Sequence, residues 1–283
     1  MGKLCLDCGM RMDPSIQDEE YHFMCGPRRM EDAVAARIKE VIKWADSQDA
    51  RTLQVGLGPS ELGDECERYL AYRIAGVQGT NHYMDPWKAL VGTAIHQWLE
   101  RAVNDYQRAN GLSEFLTETT VPIDDLVSGH SDLFWRNSVW DYKTFGKDKL
   151  KKFAKEGPTQ SHVQQVQLYG LGQERLGRKV EYVGIIALPR DGWLEDLCVW
   201  ATKYDRKYAE SILERPYGIA AKLLAFPNGD IDWEAIPATP SRLCGFCPFY
   251  RAGERADAGG CPGDLGAFLD RAADGLIVPK EEV

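Results

Sequence analysis

The sequence predicts an α/β fold in which helices flank a central sheet, with a small metal-binding module at the amino end and a cysteine cluster near the carboxyl end. Three observations indicate this organisation. Apolar residues alternate between helical and strand spacing along most of the chain. The 283 residues, of which 44% are hydrophobic, suffice to bury a full core. Eight cysteines fall mainly into two separated groups, which is typical of metal sites in a reducing compartment.

The composition excludes several classes of protein. A charged fraction of 27% with ordinary glycine and proline content excludes a disordered or fibrous chain. The net charge of −9 means that nucleic-acid binding would require a local basic surface. No apolar run approaches the roughly 18 residues of a membrane span, and the amino terminus lacks the apolar core of a signal peptide. We therefore expect a cytosolic protein without a membrane partner.

The first cysteine group predicts a zinc site. Cys5 and Cys8 form a C-x-x-C pair, and His22 and Cys25 supply a second pair after a short polar loop. Tetrahedral zinc takes two ligand pairs presented by tight turns. We expect residues 1–28 to form a module that folds around Zn²⁺, and residues 29–58 to form a connecting helix and linker. The alternative is an unstructured tail with incidental cysteines.

The second group combines three late cysteines with one early cysteine. Cys244, Cys247 and Cys261 lie near the carboxyl end, and a fourth ligand is needed to complete a set. Cys66 is the natural candidate, because Cys198 lies in an apolar alternation typical of a buried strand. The spacing alone leaves both zinc and an iron–sulfur cluster open. Joining Cys66 to the late cysteines would close a very long loop and stabilise the domain by about 4 to 5 kcal/mol.

Local periodicity predicts the elements of the sheet and its helices. The predicted helices cover Glu31–Ser47, a segment capped by Ser60 and ended by Gly76, Pro86–Asn110, Ser161–Leu176 and Tyr204–Phe226. The predicted strands cover Phe115–Val121, Leu126–Trp135, Ser138–Thr144, Val180–Leu188 and Leu194–Thr202. This order of strands and helices favours an α/β sheet over a barrel or a helical bundle.

Acidic side chains and a lysine converge in the strand meander. Asp141 and Lys143 are two residues apart and so share one face of a strand, and Asp132 on the preceding strand can lie opposite them. Two converging carboxylates repel each other unless a cation lies between them, and oxygen ligands of this kind suit Mg²⁺ or Mn²⁺. The alternative is a surface Asp–Lys pair on an exposed strand.

Two further positions accompany this group. His96 lies among apolar neighbours on the long predicted helix, where a histidine is also typical of ordinary packing. Gln165 and Tyr169 lie one turn apart on the helix that follows the strands, within reach of a common phosphate or of the strand backbone. An ordinary amphipathic face is the alternative interpretation of this second pair.

Together these motifs resemble the RecB-type branch of the PD-(D/E)xK nuclease superfamily. The resemblance is strongest to exonucleases with a carboxyl-terminal iron–sulfur cluster, namely the CRISPR-associated adaptation nucleases and their phage-encoded relatives. It covers the chain from Ser60 to Cys261, with the motifs in the family's order. Asp141 stands where many members have Glu, and the interval from Cys247 to Cys261 is longer than usual.

The resemblance implies a restriction-endonuclease-like mixed central sheet over residues 59–263, followed by a tail over 264–283. The implied ligands of a catalytic Mg²⁺ or Mn²⁺ are His96, Asp132, Asp141 and the carbonyl of Tyr142. The implied catalytic residues are Lys143, Asp132, Asp141, Gln165 and Tyr169. The implied ligands of a 4Fe–4S cluster are Cys66, Cys244, Cys247 and Cys261.

The implied function is metal-dependent hydrolysis of DNA by an exonuclease or flap-type nuclease, with DNA bearing single-stranded ends as substrate. Its setting would be phage or prokaryotic recombination, repair or replication, alongside other proteins of those processes and in the host cytoplasm if phage-encoded. The lysine-rich stretch from Lys143 to Lys155 is interpreted as a track for DNA phosphates. Two alternatives are a catalytically idle nucleic-acid-binding scaffold and a structural partner whose two cysteine groups both bind zinc.

Overall fold

The computed structural model describes four stretches of the chain, residues 27–47, 57–81, 86–239 and 244–263. The chain divides into two compact units, Met1–Gln54 and Val55–Val283. In the first unit, helix α1 spans Pro27–Ser47, as the predicted connecting helix requires. None of the helices in the described residues is both long enough and apolar enough to cross a membrane.

Several predicted features fall outside the described residues. The predicted zinc ligands are Cys5, Cys8, His22 and Cys25, and all four lie in the stretch before residue 27. The predicted tail over 264–283 and linker residues 48–56 also lie outside the described stretches. Their assignments therefore stay predictions from the sequence.

The second unit contains five strands and five helices in its described residues. The strands are β1 (Phe115–Pro122), β2 (Ser128–Trp135), β3 (Ser138–Phe145), β4 (Tyr182–Pro189) and β5 (Cys198–Lys203). The helices are α2 (Glu67–Ile74), α3 (Trp87–Asn110), α4 (Lys147–Glu156), α5 (Gln160–Arg175) and α6 (Arg206–Leu224). The strands and the helices α3, α5 and α6 agree with the prediction apart from a few residues at their ends.

The sheet is mixed and its strands follow the order β1-β2-β3-β4-β5. The first three strands form an antiparallel meander, β3 and β4 pair in parallel, and β5 is antiparallel to β4. A parallel pair needs a long crossover, which α4 and α5 provide between β3 and β4. This mixed sheet flanked by helices confirms the predicted fold class.

Strand alternation divides the sheet into two faces. On one face, Val139 of β3 and Ile185 of β4 join the main core, in which α5 contributes Leu168. On the other face, Tyr142 packs in a smaller cluster with Leu99 of α3. Helices α3 and α5 therefore lie on opposite sides of β3, and residues from both can reach the end of that strand.

Helix α2 begins later than predicted. Its N-cap is Cys66, whose side chain accepts a hydrogen bond from the Tyr69 amide at 3.4 Å, so the predicted cap at Ser60 is wrong. Residues 59–63 form turns instead. Backbone hydrogen bonds in this segment join residues three positions apart, as in tight turns, rather than four positions apart as in an α-helix. Helix α2 therefore begins only after Cys66.

Helix α4 was not predicted as a helix. Its lysines favoured an interpretation as a basic stretch, but Leu150 and Phe153 are spaced for one helical face and are both buried. Gly157 ends the helix at a φ of 78°, a left-handed conformation that glycine adopts without strain. The helix carries most lysines of the run away from the strand that contains Lys143.

The carboxyl-terminal segment packs on α2. The Arg68 guanidinium donates to the carbonyl of Ile236 at 3.1 Å, and the Tyr72 hydroxyl lies 2.7 Å from the carbonyl of Gly260. The Tyr72 ring also stacks on Trp233 at a centroid distance of 4.2 Å. These contacts join residues that are more than 160 positions apart in the chain. The carboxyl-terminal segment is therefore part of the core of this unit.

We expect Gly184→Ala to lower the free energy of unfolding by about 1 to 3 kcal/mol, because an added methyl group overpacks β4. A Cβ at this position would lie 2.5 Å from both the Trp140 ring and the Trp200 carbonyl oxygen. Gly218→Ala is the matched control, since a Cβ there meets nothing within 4 Å. In helix α6 it is expected to stabilise by about 0.5 to 1 kcal/mol. Urea unfolding followed by circular dichroism measures both, and an unchanged midpoint for Gly184→Ala would contradict the packing argument.

Candidate active site

Strand β3 carries Asp141 and Lys143 on the face that packs toward α5. Lys143 Nζ lies 2.8 Å from Asp141 Oδ2. Asp141 is only 2% exposed. Burial raises the pKa of its carboxyl to about 6, against the opposing influence of Lys143. Ionisation of Asp141 is therefore unfavourable in the folded protein, and a further cation beside the carboxylate would make it more favourable.

The strands β2 and β3 separate at the site. Their pairing ends at Leu133↔Trp140, and the next residues along the two strands are Asp132 and Asp141. The Tyr142 amide, released from the ladder, donates to Asp132 Oδ2 at 2.6 Å. The fork therefore opens a space between two buried carboxylates and fixes one of them through a backbone N–H.

Helix α3 brings His96 to the fork. His96 Nδ1 lies 3.3 Å from Asp132 Oδ1, and the imidazole meets the Tyr142 ring edge-on at a centroid distance of 5.8 Å. Burial lowers the pKa of His96, but the hydrogen bond to Asp132 and the charges of Asp132 and Asp141 raise it more, so the net shift is upward. His96 is therefore held in one orientation toward Asp132. A histidine that served only for packing would not need this contact.

Glu118 belongs to the site, although it is not among the residues selected from the sequence. One ligand atom each from Glu118, His96 and Asp132 lie within 4.8 Å of one another. Glu118 adopts a φ of 43°, a left-handed conformation that is uncommon for a residue other than glycine. The β1–β2 register, with Thr117↔Leu133 and Thr119↔Ser131 as the flanking pairs, sets Glu118 level with Asp132. Strained backbone of this kind is typical of functional sites.

Helix α5 contacts Asp141 on the face of the sheet opposite to α3. The Gln165 Nε2 donates to Asp141 Oδ1 and to the Tyr169 hydroxyl, each at 3.1 Å. Burial, followed by the charges of Asp141 and Asp132, raises the pKa of Tyr169 above its usual range, so its hydroxyl stays protonated. The structure therefore places Gln165 against the carboxylate and Tyr169 against Gln165, whereas the sequence left a phosphate and the strand backbone as candidate partners.

The predicted site residues are gathered in one place. Two groups of contacts meet at the fork, one joining His96 to Asp132 and the other joining Lys143, Asp141, Gln165 and Tyr169. The Tyr142 backbone takes part through its amide. The compact group of potential metal ligands contains Glu118, while Asp141 is turned toward Lys143 and Gln165. An open cleft leads to the group and is lined by His96, Lys143, Lys149, His162 and Gln165, among others.

The second cysteine group also comes together. The side chains of Cys66, Cys244, Cys247 and Cys261 line one pocket between α2 and the carboxyl-terminal segment. Burial raises the pKa of the Cys247 thiol, and the neighbouring thiols raise it further. Cys198 lies on β5, away from this pocket, as its sequence context predicts.

The loop that carries Cys244 and Cys247 is fixed by backbone contacts. The Cys247 amide donates to the Cys244 carbonyl at 2.9 Å, and the Asn81 side chain donates to the Cys247 carbonyl at 2.7 Å. Arg68 Nη1 lies 3.5 Å from Cys261 Sγ. These contacts hold the cysteine loop against Asn81 and Arg68.

No protein-family model and no curated protein matches the sequence. Solved structures of similar shape include the alkaline exonuclease LHK-Exo from Laribacter hongkongensis, at 14% identity and a TM-score of 0.46, covering 60% of this chain and 88% of that one. A putative exonuclease from Eubacterium rectale has 11% identity and a TM-score of 0.41, covering 75% and 94%. SSO0001 has 18% identity and a TM-score of 0.41, covering 69% and 84%.

Proposed function

We propose that this chain is a divalent-metal-dependent nuclease of the PD-(D/E)xK type that hydrolyses phosphodiester bonds in DNA. One observation carries the proposal: His96, Glu118 and Asp132 form a compact ligand group at the strand fork, beside the buried Asp141–Lys143 pair. Imidazole and carboxylate donors suit Mn²⁺, and carboxylate oxygens suit Mg²⁺. The family resemblance of the sequence motifs supports the same assignment.

The residues at the fork would hold the cation. Glu118, Asp132 and His96 supply its ligand atoms, and Asp141 adds a carboxylate whose ionised form is disfavoured without a cation. A bound Mg²⁺ or Mn²⁺ polarises a phosphate oxygen and makes water a stronger nucleophile at neutral pH. The Tyr142 amide keeps the Asp132 carboxylate in position. The protein therefore fixes the donors before substrate arrives, which is the condition for electrostatic catalysis.

Lys143 is placed to act on the substrate. Its ammonium group lines the cleft and is held by Asp141 at 2.8 Å. A cation here stabilises the negative charge that develops on the phosphate during attack by water. Gln165 fixes the second oxygen of Asp141, so the carboxylate keeps one orientation toward Lys143. The Asp141 carboxylate thus holds the ammonium group of Lys143 in position. In the proposed reaction water attacks the phosphate directly, so no covalent intermediate with the protein is formed.

The substrate is proposed to be DNA with an accessible end. The cleft is open and carries lysine side chains in a chain of net charge −9. Of the predicted phosphate track from Lys143 to Lys155, only Lys143 and Lys149 line this cleft in the described residues, and the proposed track is limited to these two lysines. We also retain as proposals an exonuclease or flap-type activity, a role in phage or prokaryotic recombination, repair or replication, and a location in the cytoplasm.

The test is degradation of end-labelled single- and double-stranded DNA in Mg²⁺ or Mn²⁺, compared with excess chelator. We expect the wild-type protein to degrade DNA only with the cation, and Lys143→Ala to lose about a hundredfold or more of the rate. Equal rates for wild type and Lys143→Ala would indicate a contaminating nuclease. DNA binding without hydrolysis by pure protein would favour the alternative of an idle scaffold.

The affinity for Mn²⁺ is expected to fall steeply below pH 6. Burial raises the pKa of Asp141 to about 6, so the proton competes with the cation for this carboxylate below that pH. Each further pH unit of acidification then lowers the apparent affinity by up to about tenfold. Calorimetric titration of Mn²⁺ between pH 5 and 8 measures the effect. The same affinity at pH 5 and pH 8 would show that Asp141 takes no part in cation binding.

We further propose that Cys66, Cys244, Cys247 and Cys261 hold a 4Fe–4S cluster. The four thiols line one pocket, as shared ligands of a single metal group require. The family resemblance implies this cluster, and a zinc site at the same thiols is the alternative. The predicted zinc module around Cys5, Cys8, His22 and Cys25 rests on spacing alone.

A further inference from the structure

One wall of the cleft is basic. Lys143, Lys149 and His162 all line it, and no carboxylate is among the lining side chains in the described part of the chain. Burial, and then the charge of Lys143, lowers the pKa of Lys149. Burial, and then the two lysines, lowers the pKa of His162 to about 4. Near neutral pH His162 is therefore an uncharged imidazole beside two lysines, and the two ammonium groups repel each other.

Only one of the three has an acidic partner within the described residues. Lys143 pairs with Asp141, whereas Lys149 Nζ lies over the Phe145 ring at 4.6 Å. His162 Nδ1 is buried and meets no hydrogen-bond partner in the described stretches. A buried polar nitrogen of this kind is costly until a partner arrives. An anion at this wall would relieve the repulsion and supply that partner.

Neutral donors complete the same wall. Ser60 and Ser161 also line the cleft, and the Ser161 hydroxyl shares a hydrogen bond of 2.9 Å with the Thr159 hydroxyl. Ser161 lies in the first turn of α5, a helix of 16 residues whose N-cap is Thr159. The amino end of a helix favours negative charge. Ammonium, imidazole and hydroxyl donors at a helix start are the combination that binds phosphate oxygens.

We infer that Lys149, His162, Ser60 and Ser161 bind a phosphate group of the nucleic-acid strand other than the phosphate that is hydrolysed. The inference rests on the proposed nuclease function for the identity of the strand. The bound group is either an internal phosphodiester or a terminal 5′-phosphate, and both present the same oxygen acceptors. This phosphate site lies beside Lys143 in the cleft. Holding one phosphate there determines which phosphodiester bond of the nucleic acid reaches the metal ligands.

The test is equilibrium binding of a labelled single-stranded oligonucleotide to the full chain without divalent cation, at a series of KCl concentrations. We expect Lys149→Gln to weaken binding about fivefold at 0.1 M KCl and to reduce the slope of log Kd against log[KCl] by about 0.7, one phosphate contact. His162→Asn is expected to weaken binding by a smaller factor. Lys149→Arg is expected to restore the wild-type slope.

Lys151→Gln is the matched control, because Lys151 lies exposed on α4 and does not line the cleft. It is expected to bind as the wild type does. Oligonucleotides with and without a 5′-phosphate separate the two sources of the phosphate. If the wild type prefers the 5′-phosphorylated oligonucleotide and Lys149→Gln loses this preference, the bound group is a terminal phosphate. If the wild type binds both oligonucleotides equally and Lys149→Gln reduces the salt slope, the bound group is an internal phosphodiester.

Wild-type affinity and slope in both Lys149→Gln and His162→Asn would overturn the inference. Nuclease activity is measured separately with Mg²⁺, so the two proposals can fail independently. Hydrolysis by the wild type with an unchanged slope in the variants removes only the phosphate site. Binding with a reduced slope in Lys149→Gln, but no hydrolysis by the wild type, removes only the nuclease assignment.

Discussion

Asp132→Asn is expected to lower kcat/KM for metal-dependent DNA hydrolysis by about a thousandfold, or about 4 kcal/mol of transition-state stabilisation. Asp132 contacts His96 at 3.3 Å and the Tyr142 amide at 2.6 Å, and it lies in the compact group with Glu118. Asparagine keeps the volume of the side chain and an acceptor for the Tyr142 amide. The loss therefore reports the removed charge rather than a disturbed fold.

The matched control is Asp105→Asn, which removes a carboxylate that is 69% exposed on α3. It is expected to retain wild-type kcat/KM. Glu118→Gln should also lower both activity and Mn²⁺ affinity, because Glu118 supplies a ligand atom of the same group. Wild-type activity in Asp132→Asn, at an equal melting temperature, would exclude the fork as the site of hydrolysis. Wild-type Mn²⁺ affinity in Glu118→Gln would exclude Glu118 as a ligand.

Cys66→Ala is expected to lower the melting temperature of the cluster-loaded protein by about 10 °C or more. Cys66 lies at the start of α2, and the other three thiols of its pocket belong to the carboxyl-terminal segment. A shared cluster closes the intervening loop and would stabilise the folded state by about 4 to 5 kcal/mol. In a domain of this size each kcal/mol corresponds to about 2 to 4 °C. Thermal melting followed by circular dichroism measures the change.

Cys198→Ala provides the control for this prediction, since Cys198 is a half-buried thiol on β5 outside the pocket. It is expected to lower the melting temperature by only a few degrees and to retain the visible absorption of an iron–sulfur protein. Iron and zinc analysis of the purified wild type identifies the metal. Colourless protein with stoichiometric zinc at these cysteines would replace the 4Fe–4S proposal with a zinc site.

Sequence predicted those site residues that lie close together in the chain, and it missed a residue that strand pairing brings to the site. Asp141 and Lys143 share a face because strand alternation acts over two residues, so their pairing follows from the sequence. Glu118 joins them only through the β1–β2 register, which a single strand does not specify. It is the one carboxylate in the strand segment Phe115–Pro122, and this is the signal that would have identified it.

Sequence also predicted the helices in proportion to the strength of their local apolar pattern. The long amphipathic pattern of α3 predicts both the helix and the position of His96 on it. Helix α4 has only ten residues, and its two buried apolar side chains are a weak signal among lysines. The segment before α2 packs closely at Gly63 against Ser161, residues 98 positions apart, and no local pattern in the sequence describes such a contact. Non-local packing thus lies beyond local sequence patterns, whereas α4 has a local signal that is only weak.

The contacts between α2 and the carboxyl-terminal segment have a consequence for how the chain folds during synthesis. Arg68 and Tyr72 emerge from the ribosome early, but their partners at Ile236 and Gly260 are made more than 160 residues later. At about 5 to 20 residues per second, α2 waits roughly ten to forty seconds for them. The sheet can assemble in that interval, whereas the cysteine pocket can close only after Cys261 has been made.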